Sequence, residues 1–260
     1  MSRKLSIFHY YQHYFLKSIV WAVLGYFAFF AVIIVAGGAM FSVNTPEGQT
    51  SFAGHEAAAA VFLMIGAWSS FREEILFFNQ HGVSRKSAFF GFVASFLAIS
   101  ALFAVAVVFL PLMFAAVTSL LPHGDNIDVS SGLLFSLYAD YLSTFSRGGA
   151  YLIEMLFNWL MFLAFGMGAY ALSSLSYRFG KVGKTLIWAV PVASFILLPV
   201  LDVNVFDGAI VSLFIRMWQW FLGGNIAYAT MTNGMITFAV ASVLLSVGAF
   251  FSVRRVRLLR

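Results

Sequence analysis

Glu154 and Asn158 stand four residues apart in an otherwise apolar stretch. That spacing puts a carboxylate and a carboxamide on one helical face. A carboxylate inside a membrane-crossing helix is costly, so it turns toward protein or water rather than lipid. Together with Arg216, the pair could form a polar pathway or gate; Glu154 could equally be a structural anchor that bonds Arg147 or Arg216. The structural role needs fewer assumptions. Other chemistries lack parts. His9 and His13 share a helical face but sit among Tyr10, Tyr11 and Tyr14, and His55, His81 and His123 are scattered, so no metal site assembles. Gly183-Lys184-Thr185 has the ending of a phosphate-binding loop, but the glycine required five positions earlier is Arg178. No Gly-x-Ser-x-Gly element marks a serine nucleophile. With Cys 0, disulfides, thiolate metal sites and cysteine catalysis are all excluded. No catalytic, cofactor-binding or metal-ligating set is expected on this chain.

The elements that hold these residues follow from hydropathy and charge. The chain of 260 residues is 62% apolar and 10% charged, whereas a soluble domain carries about a quarter charged residues. On a ruler of about 20 apolar residues per crossing, six spans are expected, at 18–41, 54–71, 87–121, 149–174, 185–201 and 233–253. The long third span would tilt, bend at Pro111 or extend into the cytoplasm. Of the 15 Lys and Arg residues, all but Arg147 and Arg216 then fall on one side. Basic residues mark the cytoplasmic side, so both termini are expected inside. Glu47, Glu56, Asp125, Asp128, Asp140, Asp202 and Asp207 all fall in expected outer segments. The net charge of +5 therefore points to lipid headgroups rather than nucleic acid. The first span follows an aromatic stretch and lacks a small-residue cleavage pattern, which reads as a retained segment.

The expected fold is all-α: a single membrane domain over 1–260, with no internal repeat or low-complexity linker. Three segments lie outside the spans. Residues 1–17, rich in aromatics between basic residues, suit a helix in the cytoplasmic headgroup layer. Outer segments at 122–148 and 202–232 are each expected to carry a helix. In the first, Leu133, Leu134, Leu137, Tyr138 and Tyr141 have helical spacing before a break at Gly148-Gly149. In the second, the helix covers 208–222 around Arg216.

The loop at 72–86 is the most informative local feature. Arg72, Glu73 and Glu74 open a short helix, Gly82 is placed to end it, and Ser84 to cap the next. Its apolar residues Ile75, Leu76 and Phe78 must pack on the membrane surface, on the rest of the domain or on a partner. Glu73-Glu74 resemble the paired glutamates of one intramembrane protease family, but the arginine expected four residues after the second is Phe78.

An interfacial N-terminal helix, six spans with both ends inside, and the sequence Gly82-Val83-Ser84-Arg85-Lys86 leading into span three together resemble a type-2 ABC transporter permease. The resemblance covers nearly the whole chain through loose motifs. It implies that residues 72–83 are a coupling helix docked on a separate ATPase subunit, with Arg72, Glu73, Glu74, Ile75, Phe78, Arg85 and Lys86 at the contact and the loop at 177–184 as a second one. It further implies a second permease subunit, identical or related, and ATP with Mg on the partner ATPase, with no cofactor on this chain. Export of a peptide, a lipid-like molecule or another amphipathic compound across a bacterial plasma membrane would follow. The alternative is a non-transporting membrane scaffold or immunity protein.

Overall fold

The computed structural model describes Gly25 and residues 55–118, 138–204, 208–221 and 230–255. Among these, all regular structure is helical. The helices are α1 (His55–Gln80), α2 (Arg85–Thr118), α3 (Ala139–Ser143), α4 (Arg147–Asn204), α5 (Ala209–Phe221) and α6 (Met231–Arg255). Among the described residues, three stretches are long and apolar enough to cross a membrane: Arg85–Phe109, Arg147–Phe179 and Met231–Arg254. The expected spans at 87–121 and 233–253 correspond to α2 and α6. The span at 18–41 and the interfacial helix at 1–17 lie outside the described residues, Gly25 excepted.

The chain divides into two compact units. In the unit containing Phe89–Phe162, α2 is the central element. Phe92, Phe96, Phe103 and Val107 recur at helical spacing along its buried face, with the Phe92 and Phe96 rings stacked 5.5 Å apart. Its opposite face leaves Leu102, Val105 and Phe109 exposed, as lipid contact requires. Two polar ties cross to other helices. The Trp159 indole N–H of α4 is shared between Leu97 O (3.2 Å) and Ser100 Oγ (3.1 Å). His55 Nε2 at the start of α1 donates to Val107 O at 3.2 Å. Buried groups such as these need partners where water is scarce.

The other unit holds Met64–Ala88 and Leu163–Arg260. Here Phe71 of α1 packs edge-on against Tyr170 (5.1 Å) and Tyr177 (6.1 Å) of α4, and Ser173 donates to Trp68 O at 2.9 Å. Phe238 of α6 meets Phe165 of α4 and Phe221 of α5. Asn233 Nδ2 also donates to Trp220 O at 3.0 Å, tying α6 to α5. The side chain of Asp202, at the end of α4, accepts the Ile210 N–H at 2.7 Å, capping α5. The expected outer helix at 208–222 is thus present as α5, with Leu213, Phe214, Ile215, Met217 and Trp220 exposed.

Three local expectations are corrected. Residues 72–80 do not form a separate helix but continue α1 from His55 without interruption. No glycine or proline occurs between Gly66 and Gly82, and a run of charges does not by itself end a helix. The turn does fall where expected: Gly82 adopts φ +68°, a conformation that costs other residues about 1 kcal/mol. Ser84 Oγ accepts the Ser87 N–H at 3.2 Å, capping α2. Second, the expected loop at 177–184 is helical, inside a 58-residue α4; Gly180 and Gly183 weaken a helix without breaking it. Third, Gly148-Gly149 do not interrupt the chain. They lie in the first turn of α4, and Ser146 Oγ accepts the Gly149 N–H at 3.3 Å. The outer helix expected in 122–148 is described only from Tyr138, as the short α3.

Candidate functional site

Over its first turns, helix α4 turns leucines out and polar groups in. Leu152 and Leu156 are exposed, while Glu154, Phe157, Asn158 and Met161 are buried. A helix in water shows the reverse. The face carrying Glu154 and Asn158 gathers a polar cluster within the unit containing Phe89–Phe162.

Asn158 has no exposed surface (0%), and neither Oδ1 nor Nδ2 has a hydrogen-bond partner among the described residues. Glu56, in the first turn of α1, is 1% exposed and lies within Coulombic reach of Glu154. Glu154 is 7% exposed, which makes it the outermost of the three. Glu56 and Glu154 thus lie near each other, and Asn158 shares the buried face of α4 with Glu154.

Their charges are not equally compensated. Nδ1 of His55 lies 3.4 Å from the Glu56 carboxylate, while Nε2 of the same ring is donated to Val107 O. The N-terminus of α1 adds partial positive charge beside Glu56. Glu154 has no such partner: Arg147, expected as its counter-ion, is exposed at the start of α4 and makes no ion pair with it. Arg216 is exposed on α5, in the other unit.

No family model, curated protein or solved structure matches the chain. The geometry therefore carries the functional argument. Among the described residues no group of three or more His, Cys, Asp or Glu side chains could hold a metal ion.

Of the three residues expected to line a pathway, Glu154 and Asn158 share the buried face of α4, and Arg216 is exposed on α5. His55 and Glu56 were not expected at this site, because a position near the outer end of the second span reads as an acidic surface residue. The signal was there in outline: Glu56 opens the run Ala57-Ala58-Ala59-Ala60, where a solvated face would carry more polar residues. Of the docking residues, Arg72, Glu73, Glu74, Ile75 and Phe78 lie on the last turns of α1, and their side chains are outside the described residues. Lys86 is exposed and Arg85 half-buried at the start of α2.

Tyr138 is a further buried polar residue, with its ring 5.8 Å from Phe157. Its hydroxyl has no partner among the described residues, and burial pushes its pKa from 10.0 to about 12. Folding thus favours the protonated phenol. That contribution is complete below pH 10 and is lost as pH rises to about 12. Tyr138→Phe should change stability at neutral pH by no more than about 1 kcal/mol. It should also flatten the alkaline decline in unfolding midpoint between pH 10 and about 12, measured by thermal unfolding across that range.

Proposed function

We propose that the chain is a multi-pass permease subunit of an ATP-driven exporter in a bacterial plasma membrane, with both termini cytoplasmic. The observation that carries this reading is the inverted face at the start of α4, with Leu152 and Leu156 exposed and the Glu154 carboxyl and the unpartnered Asn158 carboxamide inward. Such groups are expensive in a membrane and are retained where something polar must bind or pass. A purely structural bundle would gain by replacing them with apolar residues.

The α1–α2 hairpin supplies the second half of the reading. Its cationic tip, turning at Gly82, is the docking point for a separate ATPase subunit that binds ATP with Mg. Helix α1 carries Glu56 in its first turn and the docking residues in its last turns. Because no break separates the two, a push on the hairpin acts directly on the helix that bears Glu56. Two permease subunits, identical or related, enclose the pathway, and closure of the ATPase pair drives the hairpins together.

Affinity purification of the full chain from its native membrane tests this. An ATPase subunit should co-purify, and the double substitution Ile75→Glu with Phe78→Glu should abolish the association while the protein remains monodisperse. A complex that survives the double substitution would reject docking at the hairpin, and wild-type protein without an ATPase would reject the exporter.

A further inference from the structure

We propose that α5 is an interfacial helix that lies among the lipid headgroups of one leaflet. Its apolar side chains rest on the acyl chains, and Arg216 binds lipid phosphate. The inference rests on α6 crossing a membrane and not on the permease reading.

Helix α5 is held at its ends. Among its described side chains Ile210 and Phe221 are half-buried, and the others are exposed. The first turn is tied to Asp202, whose carboxylate accepts the Ile210 N–H at 2.7 Å. The last turn is tied to α6. Asn233 Nδ2 donates to Trp220 O at 3.0 Å, and the Phe221 ring stands edge-on to Phe238 at 5.3 Å. Those two contacts fix its depth. The spanning stretch Met231–Arg254 has 24 residues, about 36 Å of helix against about 30 Å of hydrocarbon. Each end of α6 therefore reaches about 3 Å into the headgroup layer, which sets Asn233 at the boundary. Phe238 stands about 8 Å further in, among the acyl chains. The end of α5 thus joins α6 at headgroup level, above the exposed Ile236 and Val240 that continue toward lipid.

The surface of α5 fits that level. Ser212, Arg216 and Gln219, four and three residues apart, share an arc of about 60° at 3.6 residues per turn. Phe214 and Met217 lie on the opposite half, while Leu213 and Trp220 flank the stripe on one side and Ile215 on the other. All five of these apolar side chains are 51–59% exposed. A protein partner docking from one direction would leave one flank in water, whereas a leaflet covers both. Helices with a broad apolar arc, a narrow polar stripe and a tryptophan settle at the headgroup boundary. Charge then selects the lipid atom. No Asp or Glu follows Asp207 in the sequence, so Arg216 has no acidic neighbour on α5 or α6. Its long stem lets the guanidinium rise to the headgroups, and its fork of donors matches phosphate.

The test places single nitroxides on the full chain in phosphatidylcholine nanodiscs, at Phe214→Cys, Met217→Cys, Ser212→Cys and Gln219→Cys. All four side chains are exposed, so each replacement should leave the fold intact. Electron paramagnetic resonance reads collisions with oxygen, which concentrates in acyl chains, and with a water-soluble nickel chelate. Val240→Cys on α6 is the lipid reference. Oxygen should be favoured over the chelate at Phe214→Cys and Met217→Cys, and the chelate over oxygen at Ser212→Cys and Gln219→Cys. Chelate preference at all four would place α5 in water and overturn the proposal. Low access of both reagents at Phe214→Cys and Met217→Cys would reveal a protein cover, a second copy included, and would overturn it too. The phosphate contact is read by adding Arg216→Glu to Phe214→Cys. Charge reversal should shift that nitroxide toward the chelate, and more in phosphatidylglycerol than in phosphatidylcholine, because the anionic leaflet repels the new carboxylate. An equal or absent shift in the two lipids would remove phosphate as the partner of Arg216. None of these readings depends on whether an ATPase co-purifies.

Discussion

Asn158→Leu should raise the thermal unfolding midpoint of the purified protein. Asn158 is fully buried, with both side-chain polar atoms unpartnered among the described residues. An unmet buried polar group costs about 1–3 kcal/mol, and an apolar replacement of similar shape removes that cost. Leucine has the branched skeleton of asparagine but bulkier methyl groups, so crowding at a fully buried position offsets part of that gain, and a net rise of no more than about 1 kcal/mol is expected. A residue retained at such a cost is retained for what it binds, the usual trade between stability and activity. A fall in the midpoint with the smaller Asn158→Val as well would mean that Asn158 has a structural partner, and the inward polar face of α4 would lose its main support.

The largest loss is expected from Phe71→Ala. This ring is 1% exposed and packs edge-on against two tyrosines of α4. Truncation removes both aromatic contacts and leaves a void between helices. The expected cost is about 3 kcal/mol, toward the lower end for a buried phenylalanine, because lipid rather than water receives the ring when the bundle opens. Phe90→Ala is the control: Phe90 is 61% exposed, and its removal should cost no more than about 0.5 kcal/mol. Phe71 directly precedes Arg72-Glu73-Glu74, so the same substitution should loosen the base of the hairpin and weaken ATPase capture. Chemical or thermal unfolding of both variants in one detergent checks the ranking, and equal losses would contradict it.

The parts of this fold that could be read from sequence are those governed by local physics. The lengths of α2 and α6 follow from apolar runs with sharp ends. The stop at Gly82 and the cap at Ser84 follow from backbone freedom and a hydroxyl at the right distance. The common face of Glu154 and Asn158 is simply helical periodicity. What could not be read is where a helix continues when no residue forbids it. Arg72-Glu73-Glu74 and the segment at 177–184 mark a change of polarity, and a change of polarity is not a turn. The contribution of His55 and Glu56 was also hidden, because it depends on α1 meeting α2 and α4 through residues far apart in the chain. One hydrogen bond, from His55 to Val107 O, makes that meeting visible in the structure.

The chain has no cysteine, so a single one can be placed in the site without altering any other residue. Asn158→Cys in membrane vesicles at mildly alkaline pH should react with a cationic ethylammonium methanethiosulfonate about ten-fold faster than with its anionic ethylsulfonate analogue. No modification by either reagent, or equal rates for the two, would contradict an acidic, ligand-accessible site at Glu154 and Asn158.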